Sequence, residues 1–94
     1  MKIRSFSHKG LQRLYDEGQT KGVPAASAKE LRRMLAFLES MTQENELRAL
    51  PLWNAHELKG DRKGTWSLHV TANWRLTFSI ENAEVCYVDL EDYH

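Results

Sequence analysis

The middle of the chain holds a polar cluster whose side chains suit chemistry on phosphate esters. It reads HELKGDRKG over residues 56–64 and contains His56, Lys59, Arg62 and Lys63. Histidine can take or give a proton near neutral pH, and lysine and arginine bind phosphate oxygens. On charge alone a solvated surface turn is the simpler interpretation, so the cluster indicates a site only if other groups join it.

A second polar cluster ends the sequence, where Asp92, Tyr93 and His94 follow one another. Between the two clusters, Arg75 is the only lysine or arginine after Lys63, and acidic residues dominate this part of the sequence. Arg75 either pairs with a carboxylate near the end of the sequence or is held by one to bind a phosphate, which its planar guanidinium suits.

If the two clusters meet, their side chains fit the cleavage of RNA without a metal ion. That reaction needs a base for the 2′-hydroxyl proton, a cation beside the phosphorus and an acid for the leaving 5′-oxygen. His56 and His94 can act as base or acid, each transfer contributing roughly 10²–10⁴-fold, and arginine or lysine supplies fixed positive charge. The same composition also fits ordinary surfaces, and chain termini often fray.

Composition limits the class of protein. The 94 residues predict a single domain, residues 1–94, and 41% hydrophobic with 28% charged residues is typical of globular proteins. The net charge is zero, but residues 1–63 carry twelve Lys or Arg against eight Asp or Glu, while residues 64–94 carry one against five. An RNA partner is therefore expected to meet a local patch, residues 59–63, and not a basic surface as a whole.

Cysteine and hydropathy patterns argue against several other classes. Cys86 is the single cysteine, which excludes an internal disulfide, and no Cys/His spacing is typical of zinc. We therefore expect no metal and no cofactor, and a reducing cytoplasmic setting. No stretch approaches the roughly 18 apolar residues of a membrane span, so no membrane association is expected.

Two helices are predicted in the first half of the chain. After a β-prone segment, Ser7 is expected to cap a helix that ends at Gly18 in the left-handed conformation. Ser27 and Glu30 have capping-box spacing for a second helix, although Pro24 allows an earlier start. Its apolar residues recur at three- and four-residue steps: Ala28, Leu31, Met34, Leu35, Leu38 and Met41. Residues 42–55 are predicted to form a connecting stretch after the second helix, and Pro51 argues against regular helix there.

From residue 65 the hydrophobic period changes to two, which predicts strands. Short polar turns, TAN and ENAE, separate the segments and favour antiparallel hairpins. The predicted fold class is α+β, with two N-terminal helices packed on a small antiparallel β-sheet. If Leu76 and Phe78 face the core, Arg75 and Thr77 must face away from it. Because neighbouring strands lie about 5 Å apart, residues 56–59 and 90–94 can flank the strand that carries Arg75.

Four segments of the sequence together resemble the HigB toxins, which belong to the RelE/ParE superfamily of toxin–antitoxin systems and are also called plasmid maintenance system killer proteins. They are SFSHKGL at 5–11, HELKGDRKGTWSLHV at 56–70, NWRLTF at 73–78 and VDLEDYH at 88–94. Their order and spacing cover essentially the whole chain. The resemblance implies a RelE-like fold with a curved sheet and an mRNA interferase that cuts translated mRNA in the ribosomal A site.

The resemblance also implies roles for individual residues. His56, Asp92, Tyr93 and His94 take the catalytic positions, and Arg75 steadies the scissile phosphate. Lys59 lies where the family presents a basic residue to RNA. The resemblance does not fix which histidine is the base, although His94 is favoured near the 2′-hydroxyl.

The implied partners are a HigA-type antitoxin with a helix-turn-helix, operator DNA bound through that antitoxin, and mRNA on the ribosome with its rRNA. Two alternatives remain open on the sequence. A ParE-like gyrase inhibitor would share the fold without cutting RNA, since fold alone does not decide function. A catalytically inactive relative used only in regulation would be harmless on expression.

Overall fold

The computed structural model describes residues 1–92 of the chain and confirms the α+β class. The helices are α1 (Lys9–Glu17), α2 (Ala28–Ser40) and α3 (Asn45–Ala49), and the strands are β1 (His56–Glu57), β2 (Thr65–His69), β3 (Trp74–Glu81) and β4 (Glu84–Asp92). The strands form one antiparallel sheet in the order β1-β2-β3-β4. Within the described part of the chain, no helix is long and apolar enough to cross a bilayer.

Helix α1 begins one residue later than the sequence predicts. The cap is His8 and not Ser7, because the His8 Nδ1 atom accepts a hydrogen bond from the Leu11 backbone N–H at 3.1 Å. Ser7 is occupied elsewhere, since its N–H donates to the Val88 carbonyl at 2.8 Å. The predicted end is confirmed: Gly18 has φ 72°, the left-handed conformation that favours glycine.

Helix α2 is preceded by a 3₁₀ turn, Ala25–Ser27, that follows Pro24. Among the described residues the Ser27 side chain makes no capping hydrogen bond, so the predicted capping box does not form. Glu30 instead pairs with Arg33 at 3.0 Å and accepts a hydrogen bond from the indole N–H of Trp53. The predicted start at Ser27 is nevertheless confirmed, because α2 begins at Ala28, and the segment after Pro24 forms only the preceding 3₁₀ turn.

The stretch predicted as a plain connection contains helix α3. The prediction was wrong for five residues because a carboxylate within the helix stabilises the turn that leads into it. The Glu46 Oε2 atom accepts hydrogen bonds from the backbone N–H groups of Thr42 and Gln43 at 2.7 and 2.9 Å. Leu47 is fully buried and anchors the helix to the core, and the helix ends before Pro51, as proline requires.

The core lies between the helices and one face of the sheet. It is a continuous cluster of buried apolar residues that includes Leu11, Leu31, Met34, Leu35, Leu38, Leu47, Trp66, Leu68, Leu76 and Phe78. The six apolar positions that predicted α2 are all buried. The alternation of β2 and β3 is also confirmed, because these core side chains alternate with polar ones that face away from the helices.

Strand β4 contains a β-bulge that changes its pairing with β3. Ser79 pairs with Cys86 and Thr77 pairs with Asp89, so β4 has one residue more than β3 over this interval. Tyr87 lies in the bulge with φ 56°, and its N–H donates to the Ser5 hydroxyl at 2.8 Å. The β-prone N-terminal segment thus contacts the far side of β4 through parallel bridges.

Candidate active site

The register of the sheet lines up a row of polar residues that begins at His56. His56 on β1 pairs with Ser67 on β2, Ser67 pairs with Thr77 on β3, and Thr77 pairs with Asp89 on β4. Directly paired residues of an antiparallel sheet point to the same face. The row therefore crosses the sheet on the face opposite the helices.

A second row on the same face contains Arg75. Arg75 pairs with His69 on one side and with Glu91 on the other, and it lies two residues before Thr77 on β3. Asp92 follows at the end of β4, opposite Trp74. The predicted flanking of the strand of Arg75 therefore agrees with the register for the end of the chain as far as Asp92, but it was wrong for residues 56–59, because β2 lies between β1 and β3.

The two rows and the loop between β1 and β2 enclose a pocket of about 500 Å³. Its lining residues are Asn54, His56, Leu58, Lys59, Arg62, Ser67, Arg75, Thr77, Glu91 and Asp92. Ser67 and Thr77 are buried, with 3% and 4% of their surface exposed, and they form its polar floor.

Five of the residues predicted for the site line this pocket: His56, Lys59, Arg62, Arg75 and Asp92. Lys63 lines an adjoining pocket instead. The predicted residues Tyr93 and His94 lie outside the described residues. The structure thus brings the first cluster and the arginine together with the beginning of the second cluster.

His56 is oriented by the turn that precedes it. Its Nδ1 atom lies 2.9 Å from the Asn54 carbonyl oxygen, which only accepts hydrogen bonds, so Nδ1 carries a proton. In the neutral ring the lone pair is then on Nε2. Asn54 and Trp53 have φ 44° and 62°, and the Trp53 carbonyl accepts the His69 N–H at 2.7 Å, which fixes this turn to β2. The exposed imidazole can therefore use Nε2 for proton transfer.

Arg75 is held at the start of β3 by the backbone of the preceding turn. Its Nη1 atom donates to the carbonyl oxygens of Thr71 and Trp74 at 2.9 and 3.2 Å. The side chain is half-buried and contributes to the wall of the pocket. A guanidinium oriented in this way can stabilise charge that develops on a phosphate in the pocket.

Glu91, a carboxylate near the end of the sequence that was not among the predicted site residues, is a member of the site. Its carboxylate accepts two hydrogen bonds from the Arg62 guanidinium, one of them at 2.8 Å, and a third from the Thr77 hydroxyl. The contact with Arg62, followed by that with Thr77, lowers the pKa of Glu91 below its usual range. Arg62, predicted to bind RNA, therefore also ties the loop between β1 and β2 to the end of β4.

That loop is compact and places its basic residues at the rim. The Leu58 N–H donates to the Thr65 carbonyl at 2.8 Å, and the Gly64 N–H donates to the Glu57 carboxylate at 3.2 Å. Gly64 has φ 96°, which favours glycine at this position. Lys59 is exposed beside the pocket, where it can meet a phosphate.

Comparisons with known proteins give the arrangement a context. The sequence model of the HigB-like toxins, described as RelE-like toxins of the type II toxin–antitoxin system HigB, matches residues 4–94. The endoribonuclease HigB of Proteus vulgaris is 42% identical over 92 residues, which cover 98% of this chain and 99% of that protein.

Solved structures share the fold at low sequence identity. A YoeB/ParE toxin from Agrobacterium tumefaciens has a TM-score of 0.64 at 17% identity, with full coverage of both chains. YafQ from Escherichia coli has a TM-score of 0.63 at 14% identity and covers 98% of this chain and 93% of its own. The heterotetrameric YoeB–YefM toxin–antitoxin complex from Staphylococcus aureus gives 0.61 at 17% identity, covering 100% and 99%.

Proposed function

The chain belongs to the HigB-like toxin family of type II toxin–antitoxin systems, and on that premise we propose that it is an endoribonuclease that cleaves mRNA during translation. The name of the Proteus vulgaris relative supports the activity. The observation that carries the proposal is the shared pocket of His56, Lys59 and Arg75, which combines a proton-transfer group with two cations.

In the proposed reaction the RNA 2′-oxygen attacks the adjacent phosphorus, forming a P–O2′ bond while the P–O5′ bond breaks. His94 takes the proton of the 2′-hydroxyl, and His56, which begins the step as an imidazolium with a proton on each ring nitrogen, gives its Nε2 proton to the leaving 5′-oxygen. Arg75 and Tyr93 contact the phosphate, and the fixed charge of Arg75 stabilises the transition state more than the ground state. Asp92 orients a histidine or shares in proton transfer.

The charge distribution favours a substrate that is presented by the ribosome. A chain with no net charge lacks the broad electrostatic attraction on which tight binding to free RNA depends. Lys59, Arg62 and Lys63 form a local basic patch beside the pocket, which suits a short segment of mRNA already held in the A site. Contacts with rRNA would add affinity, and the protein would act in the cytoplasm.

A toxin of this family has an antitoxin, and we propose a HigA-type protein with a helix-turn-helix as the partner. Operator DNA would be bound by the complex through that antitoxin. The solved toxin–antitoxin complexes among the structural relatives support a direct protein contact.

The test is inducible expression of the wild type and of the variants Arg75→Ala and His94→Ala. The wild type is expected to arrest growth and to create new mRNA 5′ ends within translated regions. Each variant is expected to lose most of this effect while remaining folded and bound to the antitoxin. Arg4→Ala is the matched control, because Arg4 is an exposed arginine held by Glu81 and Glu84.

Full toxicity in both variants would remove the proposed site. Growth arrest by the wild type without new mRNA ends, accompanied by DNA damage, would favour a gyrase inhibitor. Harmless expression of the wild type would favour a catalytically inactive relative.

A further inference from the structure

A second pocket adjoins the candidate active site on the other side of β1. It encloses about 530 Å³ and is lined by Arg48, Ala55, His56, Glu57, Leu58, Lys59, Gly60, Lys63 and Trp66. Three of these residues, His56, Leu58 and Lys59, also line the first pocket. An extended polymer bound in one pocket can therefore continue directly into the other.

The wall of the second pocket is built around Arg48 of α3. The central carbon of its guanidinium lies 5.0 Å from the ring centroid of Trp66, whose side chain is buried in the core. An Arg48 nitrogen contacts Glu57 at 3.2 Å and Glu44 at 3.9 Å, and the Trp66 indole N–H donates to Glu44 at 3.1 Å. These contacts fix the guanidinium over the ring.

The Arg48 side chain is nevertheless 58% exposed. One side of the guanidinium thus covers an aromatic ring while much of the group remains accessible from the pocket. A planar guanidinium in this position is a surface on which an unstacked nucleobase can stack. Ala55 and Leu58 add apolar surface beside it.

The rim of the second pocket carries the charge that a phosphate requires. Lys59 and Lys63 are exposed there, and they belong to the same loop. The carboxylate of Glu57 is engaged by Arg48 and by the Gly64 N–H, so its charge is offset within the protein. The pocket combines a stacking surface with two lysines, which is the arrangement found in proteins that bind single-stranded nucleic acid.

We propose that this second pocket binds one nucleotide of the RNA substrate, next to the cleaved phosphodiester. Its base stacks on Arg48, and its phosphate lies between Lys59 and Lys63. The inference rests on the proposed function, because the nucleotide is part of the strand that runs through the active site. Arg48 and Lys63 are then substrate-positioning residues that affect binding and alignment of the strand.

The test is a nuclear magnetic resonance titration of the ¹⁵N-labelled protein with oligonucleotides that cannot be cleaved because their 2′-hydroxyls are methylated. A dinucleotide and a trinucleotide are compared. The longer one is expected to shift the Trp66 indole N–H signal and the Lys63 amide signal, together with signals of Ser67 and Thr77. It should also bind about fivefold or more tightly than the dinucleotide.

Shifts at Ser67 and Thr77 without any at Trp66 or Lys63 would overturn the second pocket and leave the active site intact. No shift in either pocket at millimolar oligonucleotide would overturn the second pocket, whereas the proposed function is tested separately by the mapping of new mRNA 5′ ends. Shifts at Trp66 and Lys63 that arise only with an acidic peptide would assign the pocket to a protein partner and overturn the nucleotide proposal.

Two variants separate stacking from charge. Arg48→Ala and Arg48→Lys should both lose the gain in affinity from the third nucleotide, because lysine keeps the charge but has no planar surface. Arg33→Ala, an exposed arginine on α2, is the matched control and should retain the gain. A fully retained gain in Arg48→Lys would refute stacking on the guanidinium, and the spectra report directly whether each variant is folded.

Discussion

The two faces of the sheet are built from the same strands but meet different physical demands. On the face toward the helices, Leu68, Leu76 and Phe78 are buried and need only shape and apolar surface. On the opposite face, Ser67 and Thr77 are almost as buried but polar, and specific partners must satisfy them. The first face is stable with any apolar side chains of suitable shape, whereas the second requires particular hydrogen-bond donors and acceptors to lie opposite one another.

This difference decides how each face should respond to substitution. A substitution in the core removes packing contacts and should lower the free energy of unfolding of the whole domain. A substitution on the polar face should mainly disturb the hydrogen bonds of the substituted residue. Three predictions test the contrast, beginning with the largest expected change in the free energy of unfolding.

Neighbours on β3 should separate stability from activity. Leu76→Ala removes fully buried apolar surface and should lower the free energy of unfolding by about 2–5 kcal/mol. Arg75→Ala, one residue earlier on the other face, should lower it by less than about 1 kcal/mol. Urea unfolding measures both values. A loss of more than 2 kcal/mol in Arg75→Ala would show that the polar face also supports the fold.

The Glu91 carboxylate should contribute a smaller and pH-dependent amount. Glu91→Gln should lower the free energy of unfolding by about 0.5–1 kcal/mol, because Arg62 is about half exposed and solvent weakens the pair. The pKa of Glu91 is lowered in the folded protein, so its contribution is present above its unfolded pKa and is lost as the pH falls through its folded pKa.

The difference between wild type and Glu91→Gln should therefore be constant near neutral pH and shrink on acidification below about pH 4. Urea unfolding at a series of pH values measures it. Arg4→Ala again serves as control for the loss of an exposed ion pair, at Glu81 and Glu84. A difference that grows in acid would contradict the assigned role of Glu91.

The turn between β3 and β4 belongs to neither face, but it fixes how the two strands pair. Ala83 has φ 61°, which costs a non-glycine residue about 1–2 kcal/mol, while glycine adds unfolded-state entropy that offsets part of the gain. Ala83→Gly should thus raise the free energy of unfolding by about 0.5 kcal/mol. Ala36→Gly in helix α2 should lower it by about 1 kcal/mol. Thermal unfolding of the two variants should move in opposite directions.

The core face could be predicted from the sequence because it depends on periodicity alone. The steps that mark α2 and the alternation in β2 and β3 select the buried residues without knowledge of which strand lies beside which. The local errors were at caps and short helices, where hydrogen bonds accepted by the His8 and Glu46 side chains decide the outcome.

The polar face could be predicted only in part. Alternation correctly assigned Arg75 and Thr77 to it, but the partner of Arg75 depends on the bulge at Tyr87. Counting back from the turn, in which Glu81 pairs with Glu84, would place Leu90 opposite Arg75. The observed partner is Glu91, because β4 has an extra residue. Nothing in the spacing of the sequence marks this insertion, so the contacts of Glu91 were not foreseen.

The extra residue in β4 also limits how this chain can change in length during evolution or design. Removing the bulge residue Tyr87 would let β4 pair regularly with β3, and Glu91 would keep Arg75 as its partner. Removing a second residue would invert the inward and outward alternation of the downstream stretch, exposing Leu90 and burying Glu91. Homologous chains that keep the same C-terminal segment should therefore tolerate the loss of this one residue, whereas a further deletion should require a compensating change on β3.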